Sequence, residues 1–153
     1  SREEARSLRE MLSFTKKKEA DPLLDYLLQF RSRMGQARQL LTDSGRTAFF
    51  FVTLPEALPI AVITRFIGWF QDFGIPVGGV VVNMLLDRQA IGSNVPEFVL
   101  NRMRMQDEHM ETIWEKFDGS VRAIVPLFDQ ELRGVEMLRR ASGALFGDAA
   151  PHA

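Results

Sequence analysis

Two stretches of the chain are almost wholly apolar, and each stops at a polar residue: Ala48-Phe49-Phe50-Phe51-Val52-Thr53-Leu54-Pro55-Glu56 and Val77-Gly78-Gly79-Val80-Val81-Val82-Asn83. Continuous apolar runs of this length predict strands buried on both faces, as in parallel sheets. Between them, Pro55-Glu56-Ala57-Leu58-Pro59 opens a helix that runs to about Phe73, where Gly74 closes it and Pro76 follows. Strand, helix and strand in this order predict a parallel, right-handed βαβ unit. Ligands of such sheets gather at the carboxyl ends of the strands, so Glu56 and Asn83 are the residues that need explaining.

Upstream, Arg2 to about Lys18 is charged, with Leu8, Met11, Leu12 and Thr15 at spacings of three and four, the mark of an amphipathic helix. Asp21-Pro22 suits the start of a second helix, on which Leu23, Leu27, Phe30, Met34, Ala37 and Leu41 follow a 4-3-4-3-4 rhythm. The two predict a helical hairpin, ended by the turn Thr42-Asp43-Ser44-Gly45-Arg46. Downstream, Asn83 to Asn94 reads as a loop. Val95 to Phe117 reads as a long helix with Phe98, Val99, Met103, Met110, Ile113, Trp114 and Phe117 on its apolar face. Val121 to Pro126 predicts a third strand, Glu131 to Phe146 the last helix, and Gly147 onward a frayed tail. The expected organisation is a hairpin over 1–44, an α/β part over 45–147 with helices on both faces of a parallel sheet, and a tail over 148–153.

The 153 residues, 46% of them hydrophobic, suffice for one ordinary core. Nineteen Lys and Arg against twenty Asp and Glu leave no global pull toward nucleic acid or an anionic membrane. The absence of cysteine excludes disulfides and thiolate metal sites and is compatible with a reducing cytosol. Ala48 to Phe70 is the one membrane-like stretch, but Pro55, Glu56, Pro59 and Arg65 interrupt it. The chain opens on Ser1-Arg2-Glu3-Glu4-Ala5 without a charged-then-apolar leader, and the expectation is a piece of a longer protein.

A glycine-rich phosphate loop with its lysine would be the usual companion of such a sheet, and none is present. Gly78-Gly79 lies inside a strand, where close backbone packing is the expected reason for it. His109, with Gln106 and Thr112 one turn away on either side, is not a metal-ligand set, and Asp107, Glu108 and Glu111 read as a solvated helix face. Lys16-Lys17-Lys18 lacks interleaved aromatics, so no nucleic-acid partner is expected. Three polar features remain at strand ends. Glu56 suits the positive end of a helix as a cap or a ligand contact. Asn83 is either a turn residue or a carboxamide able to donate to and accept from a purine edge. Pro126-Leu127-Phe128 is either a plain connection or a loop rigid enough to pack on a flat ring.

Together these features resemble the C-terminal half of the anion-transporting ATPase family, which includes the arsenite pump ATPase subunit and the ATPase that targets tail-anchored membrane proteins. The stretches that carry the resemblance are Leu41-Thr42-Asp43 with Thr47-Ala48-Phe49, Pro55-Glu56 opening a helix with Arg65, Val82-Asn83 with Leu85-Leu86, Arg102 to Gln106, and Pro126-Leu127 with Glu131-Leu132-Arg133-Gly134. The resemblance implies the C-terminal part of a P-loop NTPase of the deviant Walker A (SIMIBI-like) class, dimeric in the parent, with ATP at the interface. It implies nucleotide contacts at Glu56 and Asn83, the asparagine on the adenine, and a loop of Pro126, Leu127 and Phe128 closing over the base. The Walker A lysine, the magnesium ligands and the switch aspartates belong to an N-terminal half, so ATP and Mg2+ are expected of the parent and no hydrolysis of this piece alone.

Pro96 and Val99 stand where the targeting ATPases place a zinc-binding Cys pair, so no zinc site is expected. Val62, Ile63 and Thr64 replace a Glu-Thr-Glu stretch common on that helix, and a prokaryotic arsenite-pump-like member fits better. The implied partners are the N-terminal half, a second copy, and a membrane pump subunit or hydrophobic client; the implied location is cytoplasmic, peripheral to the membrane only through a pump partner. A competing expectation is a non-catalytic module whose hairpin, Arg2 to Leu41, offers its apolar face to a partner helix.

Overall fold

The computed structural model describes residues 5, 6 and 21–147. The chain divides into two compact units, Ser1–Leu40 and Leu41–Ala153. The expected first helix of the hairpin and the tail beyond Gly147 lie outside the described residues, apart from Ala5 and Arg6, which are helical. Helix α1 (Pro22–Thr42), all but its last two residues in the first unit, begins where Asp21 caps it, its Oδ1 accepting from the Leu23 N–H at 3.1 Å. No residue of α1 is buried, and Leu23, Leu27, Phe30 and Met34 are all more than half exposed.

The second unit runs β1 (Phe49–Thr53), α2 (Ala57–Asp72), β2 (Val77–Leu85), a short α3 (Arg88–Ile91), α4 (Glu97–Phe117), β3 (Val121–Pro126) and α5 (Gly134–Phe146). Its sheet has the order β1-β2-β3 with both pairings parallel. Consecutive right-handed crossovers that step in one direction put their helices on the same face. Accordingly, Ile60 and Ile63 of α2 and Met110, Ile113 and Phe117 of α4 form one cluster with Val80 and Val82 of β2 and Val121 of β3. Phe70 of α2 meets Phe49 and Phe51 edge-on at 5.1 and 5.0 Å. On the other face, α5 packs on β3, with Met137, Ala123 and Val125 buried.

β1 departs from the expected burial on both faces. Phe50 and Val52 are 56% and 60% exposed, because the cover on the second face, α5, packs on β3 at the far edge of the sheet. Boundaries shift as well. β2 continues two residues past Asn83 to Leu85. The expected loop contains α3, nucleated when Asp87 Oδ1 accepts from the Gln89 N–H at 2.9 Å. The last helix starts at Gly134 rather than Glu131, because Gly134 takes a positive φ of 78° that turns the chain before the helix can begin.

The Gly78-Gly79 pair answers to packing. A Cβ at Gly78 would sit 2.7 Å from the tip of the Phe50 ring, and one at Gly79, where φ is +147°, would sit 2.5 Å from the Ser120 carbonyl oxygen. Arg122 fills the remaining space, its Nε donating to the Gly78 carbonyl at 3.0 Å.

Candidate functional site

Parallel pairing brings the exits of all three strands to one end of the sheet. Thr53 is buried at the end of β1, and Leu54-Pro55-Glu56 follows it across the top. Glu56 occupies the N-cap position of α2 with extended backbone, but its side chain caps nothing. Its Oε1 instead accepts from Arg102 Nη2 of α4 at 3.2 Å, so the expected cap is an inter-helix ion pair with both side chains nearly half exposed.

The exit of β2 is irregular. Val82 pairs with Ile124 and Leu85 with Pro126, so β2 carries one residue more than β3 between those pairs, a bulge at Asn83-Met84. Met84 has φ 59°, the only positive value among described non-glycine residues. Its N–H donates to Asn83 Oδ1 at 2.9 Å. Gln106, 7% exposed on α4, spans the bulge: its Nε2 donates to the Met84 carbonyl at 3.0 Å, and its Oε1 accepts from the Leu86 N–H at 2.8 Å. The Leu127 N–H donates to the Leu85 carbonyl at 2.8 Å and ties the exit of β3 to that of β2.

These exits enclose a cleft of about 460 Å³ in which Glu56, Leu127, Arg102 and Gln106 face Met84 and Phe98. Of the residues singled out from sequence, Glu56 and Leu127 meet there. Pro126 lines the adjoining cleft beneath Leu86, beside the Arg88–Asp107 ion pair. Asn83 lines neither, and sits on the bulge next to Met84, which does line the larger cleft. Phe128 stands under the guanidinium of Arg140, 5.2 Å from its ring centre.

Arg102 and Gln106 are the site residues that sequence reasoning passed over. The signal was present: Met103, Gln106, Met110, Ile113 and Phe117 are all buried at 3-4-3-4 spacing, and a glutamine in such a stripe needs buried partners. No group of His, Cys, Asp and Glu among the described residues could hold a metal ion, and no described helix is long and apolar enough to cross a membrane.

A parallel three-stranded sheet flanked by helices, with its loops gathered at the carboxyl ends of the strands, is an α/β unit of the P-loop NTPase-like class. The chain belongs to the anion-transporting ATPase family, whose model matches residues 2–147. It is 31% identical to the ATPase GET3 of Chaetomium globosum over 80% of this chain and 36% of that protein. It is 29% identical to the ATPase GET3B of Arabidopsis thaliana over 82% of this chain and 30% of that one. A putative arsenical pump-driving ATPase 1 of Aquifex aeolicus is 25% identical over 80% of this chain and 31% of its own. The chain spans about a third of the length of these relatives.

Proposed function

We propose that this chain is the C-terminal portion of an ArsA-like ATPase and supplies the adenine-side contacts of its nucleotide site. The observation that carries this reading is the meeting of the strand exits: Glu56, the Asn83-Met84 bulge and Leu127 lie at one end of a parallel sheet in a chain of this family. Asn83 contributes its carboxamide to the base, Pro126, Leu127 and Phe128 close over the ring, and Glu56 contacts the nucleotide beside them. The phosphates, Mg2+ and the catalytic groups come from the N-terminal half. No step of hydrolysis is assigned to the residues of this chain. The uncovered apolar strip of Phe50 and Val52 supports the same reading, since further chain packed on that face removes it from water. Assembly is as a dimer in the cytoplasm, with hydrolysis driving anion export or membrane-protein targeting.

The test is ATP binding by the full-length protein carrying both halves. Asn83→Ala weakens it about tenfold, the loss of one to two hydrogen bonds to the base. Unchanged affinity removes the adenine assignment.

A second reading, a module that binds an apolar partner helix through residues 1–44, is favoured by the exposure of Leu23, Leu27, Phe30 and Met34 along α1. An apolar helical peptide then binds the protein, as followed by fluorescence anisotropy, and Phe30→Asp abolishes binding. No binding by the unsubstituted protein ends this reading.

A further inference from the structure

Met84 occupies a backbone region that is costly for any residue bearing a Cβ, and a β-bulge with a left-handed residue ordinarily takes glycine there. The chain retains methionine, so neighbouring structure must hold the conformation. Gln106 is the group placed to do so. It lies in the buried stripe of α4, and its carboxamide is consumed on both sides of the bulge, donating to Met84 and accepting from Leu86. A glutamine committed in this way is stiff, because moving it leaves buried polar groups unmatched.

The Met84 peptide has a second role. Its N–H donates to Asn83 Oδ1, which distinguishes the two ends of a carboxamide that are otherwise nearly alike in shape. With the oxygen held by the main chain, Asn83 Nδ2 is left as the donor of the carboxamide, with no partner among the described residues. The remaining lone pair of Oδ1 lies beside it. This donor and acceptor match the N7 and N6 edge of adenine, whereas guanine places an acceptor, O6, where adenine has its amino group. The hydrogen bonds thus run from Gln106 to the Met84 carbonyl and from the Met84 N–H to Asn83 Oδ1.

We propose that Gln106 is a positioning residue for base selection: by holding the Met84 bulge it fixes which end of the Asn83 carboxamide meets the purine. This rests on the adenine-side reading given above. Gln106→Glu is the informative substitution, because the carboxylate still accepts from Leu86 but no longer donates to Met84.

The experiment measures ATP and GTP affinity of the full-length protein as the native enzyme, Asn83→Ala, Gln106→Glu and the double variant. The expected result is that each single variant lowers the preference for ATP over GTP by about tenfold, and that the double variant loses no more than either alone. Where the buried carboxylate unfolds the chain, seen by circular dichroism, Gln106→Met replaces it at similar volume with the same expectation. A reduced preference in Asn83→Ala together with an unchanged one in the Gln106 variant overturns this inference and leaves the adenine reading standing. Additive losses also overturn it. No effect of Asn83→Ala overturns the adenine reading and this inference with it.

Discussion

Glu56 and Arg102, forty-six residues apart, meet at 3.2 Å across the mouth of the cleft and join the start of α2 to α4. The contact relocates a residue whose position in sequence suggested a helix cap. Both side chains are nearly half exposed, so solvent screens the pair and its contribution to stability is small. Arg102→Ala is therefore expected to lower unfolding free energy by less than about 1 kcal/mol in urea denaturation. A loss several times larger means that Arg102 carries packing beyond this ion pair.

The paired glycines of β2 are expected to differ. A methyl group at Gly78 meets the end of the exposed Phe50 ring, which can swing aside. At Gly79 it meets the Ser120 main chain, in a backbone region hostile to any Cβ. Gly79→Ala should cost about 2 kcal/mol or more and Gly78→Ala under about 1, compared by thermal melts of the two variants. Equal costs would show that the backbone at Gly79 yields.

Ile113 is wholly buried where α4 crosses β2 and β3, among Val80, Val82 and Val121. Ile113→Ala should destabilise by about 2–5 kcal/mol, the range for a core aliphatic truncated in place. Chemical denaturation reads this directly, and a loss below about 1 kcal/mol contradicts the packing described.

Met84 offers a test of the bulge independent of any ligand. Its side chain is half exposed, so Met84→Gly removes little burial and relieves the left-handed conformation. Stability should hold or rise slightly. Met84→Val, with branching at Cβ, should cost about 1–2 kcal/mol in the same assay. Indifference to both substitutions would mean that the positive φ is not maintained in solution.

Much of the fold was legible because it depends on local periodicity. The valine run of β2 and the 3-4 spacing of Met103, Met110, Ile113 and Phe117 each specify an element and its buried side, and Asp21-Pro22 specifies a helix start. The order strand, helix, strand then restricted the sheet to a parallel one, and the register of short stretches carried the family resemblance. What the sequence alone could not determine is what long-range contacts decide. Glu56 looks the same as cap or ion-pair partner until α4 places Arg102 beside it. Phe50 and Val52 read as core until the helices cover only the other face of β1. Asn83 ends a valine run in sequence, yet the strand continues, and its Oδ1 accepts from Met84 on a bulge that bonds to a glutamine twenty-two residues beyond Met84. Periodicity acts over a few residues, and hydrogen-bond partners are chosen by whatever the folded chain brings within about 3 Å.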